Sequence, residues 1–139
     1  MKLCVDGGKR TVPPVCAWAV IDYHDSGQVW SGILPPDYTS NQAEYHAVLN
    51  ALRVATYLEY TGVLVIQSDS QLIVRQVNGE YKCRDRKLQP LLQEVKLLIK
   101  NFEDVALVSV PREENEEADL AVNVAMDNYL GMKRIINNE

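Results

Sequence analysis

Three short runs rich in β-branched and aromatic residues precede the first helical period of this chain, and each later strand-like run is separated from its predecessor by helix. That order restricts the fold more than any other feature. Met1 to Asp6 reads as a strand and Val15 to Tyr23 as a second, with a loop between them marked by Gly7-Gly8 and Pro13-Pro14. His24-Asp25-Ser26-Gly27 is a turn signal before a third strand, Gln28 to Leu34, so the second and third strands form an antiparallel hairpin. Pro35-Pro36 closes this section. A long helix follows, with Ser40 as its expected N-cap and Ala47, Val48, Ala51, Leu52, Ala55 and Leu58 at helical spacing. Gly62 leads into a fourth strand, Val63 to Ser68, which a helical crossover sets parallel to an earlier one.

A short helix from Ser70 to the stop signal Asn78-Gly79 is expected next, then a basic linker from Tyr81 to Lys87. A third helix spans Leu88 to Phe102, with Pro90 tolerated in its opening turn. Asp104 to Val110 is a fifth strand ended by Pro111. The last helix runs from about Asn115 to Leu130, and residues 130–139 read as a frayed tail. The order βββαβααβα specifies an α/β fold, a five-stranded mixed sheet flanked by helices, in a single domain covering residues 1–139.

Four acids occupy costly positions in this scheme. Asp6 and Asp69 close runs that read as buried strands, where a carboxylate loses hydration worth several kcal/mol unless positive charge compensates it. Glu44 and Asp119 fall in the first turns of helices, and Glu44 lies one turn before Val48 on the apolar face. Each alone is an ordinary strand-end or helix-start acid, since helix N-termini favour Asp and Glu. Four converging carboxylates repel one another in a low dielectric unless hard cations such as Mg²⁺ bind between them.

Composition narrows the class without naming a substrate. Hydrophobic content of 47% with 24% charged residues suits a globular domain, and no apolar run approaches the roughly 20 residues of a membrane span. Asp6 comes too early for a signal-peptide apolar region, so a cytoplasmic setting and no membrane partner are expected. Cys4, Cys16 and Cys83, without zinc or CxxC spacing, read as reduced and partly buried. The net charge of -5 opposes nucleic-acid binding, but six basic residues between Lys82 and Lys100 face only Asp85 and Glu94 in that stretch, which softens the objection. Neither a GxGxxG nor a GxxxxGK phosphate loop occurs.

Four motifs in order then carry a family resemblance: Asp-Gly-Gly at Asp6, Ser-Asn-Gln-Ala-Glu-Tyr at Ser40, Ser-Asp-Ser-Gln-Leu at Ser68, and Val-Pro-Arg-Glu-Glu-Asn-Glu-Glu-Ala-Asp-Leu-Ala ending the chain's fifth strand and opening its last helix. Together they resemble ribonuclease HI, in its short prokaryotic-type form without a basic handle, over nearly the whole chain. The resemblance implies a ribonuclease H-like fold and an endoribonuclease that cleaves the RNA strand of an RNA–DNA hybrid, leaving 5′ phosphates and 3′ hydroxyls. It implies two Mg²⁺ ions, or Mn²⁺, on Asp6, Glu44, Asp69 and Asp119 in a two-metal in-line displacement. Asp6 then bridges both ions, Asp119 holds the one that activates water, and Glu44 with Asp69 hold the one beside the leaving oxygen. It also assigns Gly7, Gly8, Ser40, Asn41 and Gln42 to the minor groove and RNA strand and Thr39 to a DNA phosphate, where their other reading is turn and cap chemistry. Lys82 and Arg84, with Arg86 and Lys87, are placed to grip the backbone or simply form a solvated linker.

Two departures from the family pattern stand out. Thr11-Val12-Pro13-Pro14 replaces the usual Asn-Pro-Gly, and the short Pro111 to Asn115 loop carries no histidine, so Arg112 or Glu114 is expected to take part of that role. His24 and His46 read as surface residues, and Trp18 and Trp30 as sheet-face packing. The alternatives are a noncatalytic nucleic-acid-binding module on this fold, or another nuclease of the superfamily; a monomer is the default.

Overall fold

Strand β1 does not stop at Asp6. In the computed structural model, which describes residues 1–23 and 27–137, it runs from Lys2 to Thr11 and pairs from Leu3 to Thr11 with β2, Pro14–Asp22. Gly7 and Gly8 therefore lie in a strand, and the turn falls at Val12-Pro13 instead. The reason is packing: a Cβ on Gly7 would stand 2.3 Å from the Ala43 backbone carbon, and one on Gly8 2.5 Å from Val122 Cγ1. Glycine in a strand interior marks such close approaches.

Strand β3 (Val29–Leu34) pairs antiparallel with β2, as the hairpin requires. The His24, Asp25 and Ser26 part of the expected turn lies outside the described residues. Strands β4 (Val63–Ser68) and β5 (Asp104–Ser109) add in parallel, giving the order β3-β2-β1-β4-β5. Helix α1 (Ser40–Tyr57) packs with α2 (Gln71–Val77) and α3 (Gln89–Ile99) on one face of the sheet. The core there joins Leu3, Val5, Val20 and Ile66 to Val48, Leu52, Ile73 and Val95. Trp18 and Trp30 pack against its margin. On the opposite face α4 (Glu116–Asn137) covers Val15, Ala17 and Ala19 with Val122 and Met126.

Helix boundaries differ from the sequence reading as well. Thr39, not Ser40, is the N-cap of α1: its side chain accepts the Gln42 N–H while the Gln42 side chain accepts the Thr39 N–H. Glu44 consequently lies beyond the first turn. A 3-10 turn, Arg112–Glu114, precedes α4. Helix α4 itself continues to Asn137 instead of ending in a tail at Leu130; Gly131 is a tolerated helix-interior glycine, not a stop. The glycine that does end a helix is Gly79, at φ 81° after α2.

Candidate active site

Alternation along β1 sends Asp6, Gly8 and Arg10 to the α4 side of the sheet, opposite Ala19, Ala17 and Val15. Asp6 is buried there at 6% exposure. Asp69 follows the last residue of β4, where the Ser70 N–H donates to Ser68 Oγ at 3.0 Å and tightens the turn that presents it. Glu44 reaches the sheet from α1, and the Gly7 N–H donates to its Oε1. The missing Gly7 side chain thus lets α1 come close enough for a strand amide to hold a helix carboxylate.

Carboxylate oxygens of Asp6, Glu44 and Asp69 lie within 4.8 Å of one another. Asp119, on the first turn of α4, is outside that group but lines the same cleft of ≈ 410 Å³. Asn115 fixes where α4 begins: its Nδ2 donates to the Val5 carbonyl at 2.9 Å, and its own carbonyl accepts the Asp119 N–H at 3.1 Å. Helix α4 is thereby tied to the residue before Asp6.

Burial and mutual repulsion leave these acids reluctant to ionise. Burial, with the Asp69 and Asp119 charges adding, pushes Asp6 up to about 7 although Glu44 hydrogen-bonds to it. Burial and then Asp6 push Glu44 up to about 9, against the opposing Gly7 N–H. Asp69 is raised mainly by burial, with Arg112 pulling the other way from 3.9 Å. Arg112 is 86% exposed and gives weak compensation. An all-oxygen, three-carboxylate cluster that resists ionising without added positive charge fits hard divalent cations.

Of the other expected site residues, Gly7, Gly8, Ser40, Asn41 and Arg112 line the cleft. Thr39 and Gln42 form the α1 capping box. Lys82 and Arg84 are exposed in the linker between α2 and α3 and do not line the cleft. Glu114 turns away: it lines a separate pocket with Lys2, Cys4 and Gln67, and its carbonyl accepts the Gln67 amide at 3.0 Å. His46 is half-buried, stacked on Tyr38, and is not among the carboxylate group. The cleft also holds Lys9, Arg10, Ser70 and Asn123, which the sequence reading passed over. Spacing offered a signal for one of them, since Asn123 is i+4 from Asp119 on a helix; Arg10 shares the Asp6 face only because β1 runs on through Gly7 and Gly8.

The reverse transcriptase-like family model matches residues 5–125. A ribonuclease HI of Halobacterium salinarum is 34% identical over 124 residues, 88% of this chain; the chain spans 62% of that relative's length. The crystal structure of RNase H1 from the same archaeon superposes with a TM-score of 0.79 at 29% identity, covering 91% of this chain and 97% of that one. A crystal structure of LC11-RNase H1 in complex with an RNA/DNA hybrid gives a TM-score of 0.84 at 28% identity, covering 93% and 98%. The chain therefore belongs to the reverse transcriptase-like family, on the fold and among the relatives of ribonuclease HI.

Proposed function

We propose that this protein is an endoribonuclease that hydrolyses the RNA strand of RNA–DNA hybrids and leaves 5′-phosphate and 3′-hydroxyl ends. One observation carries the reading: carboxylates from β1, α1 and the β4 turn meet within 4.8 Å, on a fold shared with an RNase H1 solved in complex with such a hybrid. Asp6, Glu44, Asp69 and Asp119 would hold two Mg²⁺ ions, with Mn²⁺ as a substitute. When bound, these cations supply the charge stabilisation for attack of water on the phosphodiester and for departure of the 3′ oxygen.

The chain's own residues do the rest. Gly7 holds Glu44 through its backbone N–H, and Asp6 presents its carboxylate to the cleft from a buried position on β1. Ser40 and Asn41 open α1 at the cleft edge, within reach of a substrate's sugar edges, where a 2′ hydroxyl distinguishes RNA from DNA. The capping box of Thr39 and Gln42 fixes that helix end, so these two residues orient the groups beside them. Lys82 and Arg84 offer charge to the hybrid backbone away from the cleft. Arg112, beside Asp69, takes the part left by the absent loop histidine. The reading places the activity in the cytoplasm, where the free Cys4, Cys16 and Cys83 stay reduced.

The test is a labelled hybrid incubated with Mg²⁺ or Mn²⁺, beside an all-DNA duplex and single-stranded RNA. Cation-dependent cleavage confined to the RNA strand of the hybrid is expected. Hybrid binding without cleavage would identify a noncatalytic module instead, and DNA cleavage another nuclease of this fold.

A further inference from the structure

We infer that Arg10 is a positioning residue for Asp119, acting through the side-chain amide of Asn123. The inference rests on the reading of Asp119 as a cation-holding residue. Asp119 is not one of the three carboxylates that lie within 4.8 Å of one another; it meets that group through a side-chain hydrogen bond with Asp6, and that contact with a like-charged acid does not hold it once both are ionised.

The geometry supplies a strut from β1 to α4. Arg10 Nη1 donates to Asp127 Oδ1 at 2.6 Å, and Nη2 donates to Asn123 Oδ1 at 2.9 Å. Asn123 Nδ2 in turn donates to the Asp119 carbonyl at 2.9 Å and lies 3.5 Å from Asp119 Oδ1. A guanidinium carries only donors, so the amide atom facing it must be the oxygen. The nitrogen is thereby forced toward Asp119. Without Arg10 the amide oxygen loses its donor, and only the bond from Nδ2 to the Asp119 carbonyl is left to hold the amide in place. Arg10 thus pins from the β1 side the amide that the Asp119 carbonyl holds from the α4 side, keeping the nitrogen beside the Asp119 carboxylate, and Asp127 fixes the guanidinium from the next turn of α4.

Arg10 and Asn123 both line the cleft, and the Arg10 side chain is 32% exposed, so a direct hold on substrate phosphate is the competing role. The two roles leave different traces. In Arg10→Ala and Asn123→Ala the Mg²⁺ affinity of the free protein, read by titration calorimetry without substrate, is expected to fall about tenfold, the scale for groups that orient a metal-holding side chain. The KM for hybrid at saturating Mg²⁺ stays at the wild-type value. Arg10→Lys recovers part of the affinity, because an ammonium still donates to Asn123 Oδ1.

An unchanged Mg²⁺ isotherm with a raised KM and a shallower salt dependence would overturn the inference in favour of phosphate binding. An unchanged isotherm with only a lower melting temperature would overturn it in favour of a plain β1–α4 brace. Asp119→Asn binding Mg²⁺ as tightly as wild type would remove its premise. If the wild-type protein fails to cleave hybrid, the proposed activity falls, but the calorimetric comparison still decides the strut.

Discussion

Glu44 and Asp69 are held by different means, and the difference sets what a substitution does. Glu44 is anchored by the Gly7 amide, whereas Asp69 sits on a turn with Arg112 as its charged neighbour. Asp69→Asn removes a like charge from a crowded cluster without leaving a buried group unpartnered. It should therefore lower hybrid cleavage at least about a hundredfold, while melting in cation-free buffer stays the same or rises. A variant that cleaves at the wild-type rate would sink the assignment. Arg112→Ala is a milder change, because an exposed ion pair is worth roughly 0–1 kcal/mol, about fivefold in rate at most. Glu114→Ala, outside the cleft, should leave turnover unchanged, and equal losses in the two variants would contradict the separation seen here.

At the scale of elements, Gly7 and Gly8 are adjacent in β1 yet face different neighbours. A Cβ on Gly7 meets helix backbone at Ala43, which can yield only if α1 moves, whereas one on Gly8 meets the Val122 and Met126 side chains of α4. Gly7→Ala should cost about 3 kcal/mol or more and Gly8→Ala nearer 1 kcal/mol, the span for overpacking, read from urea denaturation midpoints. The reverse order would mean that α1 is seated more loosely than α4. This pair also marks the limit of what sequence could say. The succession of strands and helices follows from local periodicity, and it was legible. Gly-Gly reads locally as a turn, and only the approach of α1 and α4 reveals it as strand. Likewise Gly131 reads as a stop because residues 131–137 of α4 leave the sheet, so no core pattern marks their helical period. The four acids were legible because burial is costly for a charge; Arg10 was not, because a basic residue near a strand end carries no such cost until the α4 partners Asn123 and Asp127 are known.

The whole molecule carries a net charge of -5, and part of its acidity is concentrated where the fold cannot easily hold it. In the unfolded chain Asp6 and Glu44 titrate near their ordinary values of 3.8 and 4.5, but in the folded protein they keep their protons up to about 7 and about 9. The folded state then binds more protons than the unfolded state across that window, so stability falls as pH rises. The contribution is fully present below about pH 4 and is lost as pH climbs through the folded values. Divalent cations bind the ionised cluster of the folded state only, and they stabilise it by mass action, more strongly at higher pH where fewer protons compete. Melting followed by Trp18 and Trp30 fluorescence should therefore decline from pH 5 to 9 in EDTA. Added Mg²⁺ should raise it by an increment that grows with pH, and chelation should reverse the gain. Glu44→Gln, which cannot ionise, isolates the cluster from the remaining acids: its melting in EDTA should decline less steeply than wild type over the same range. Equal slopes for the two proteins would show that the pH dependence arises elsewhere on the surface, and that the carboxylates meet in the cleft without straining the fold.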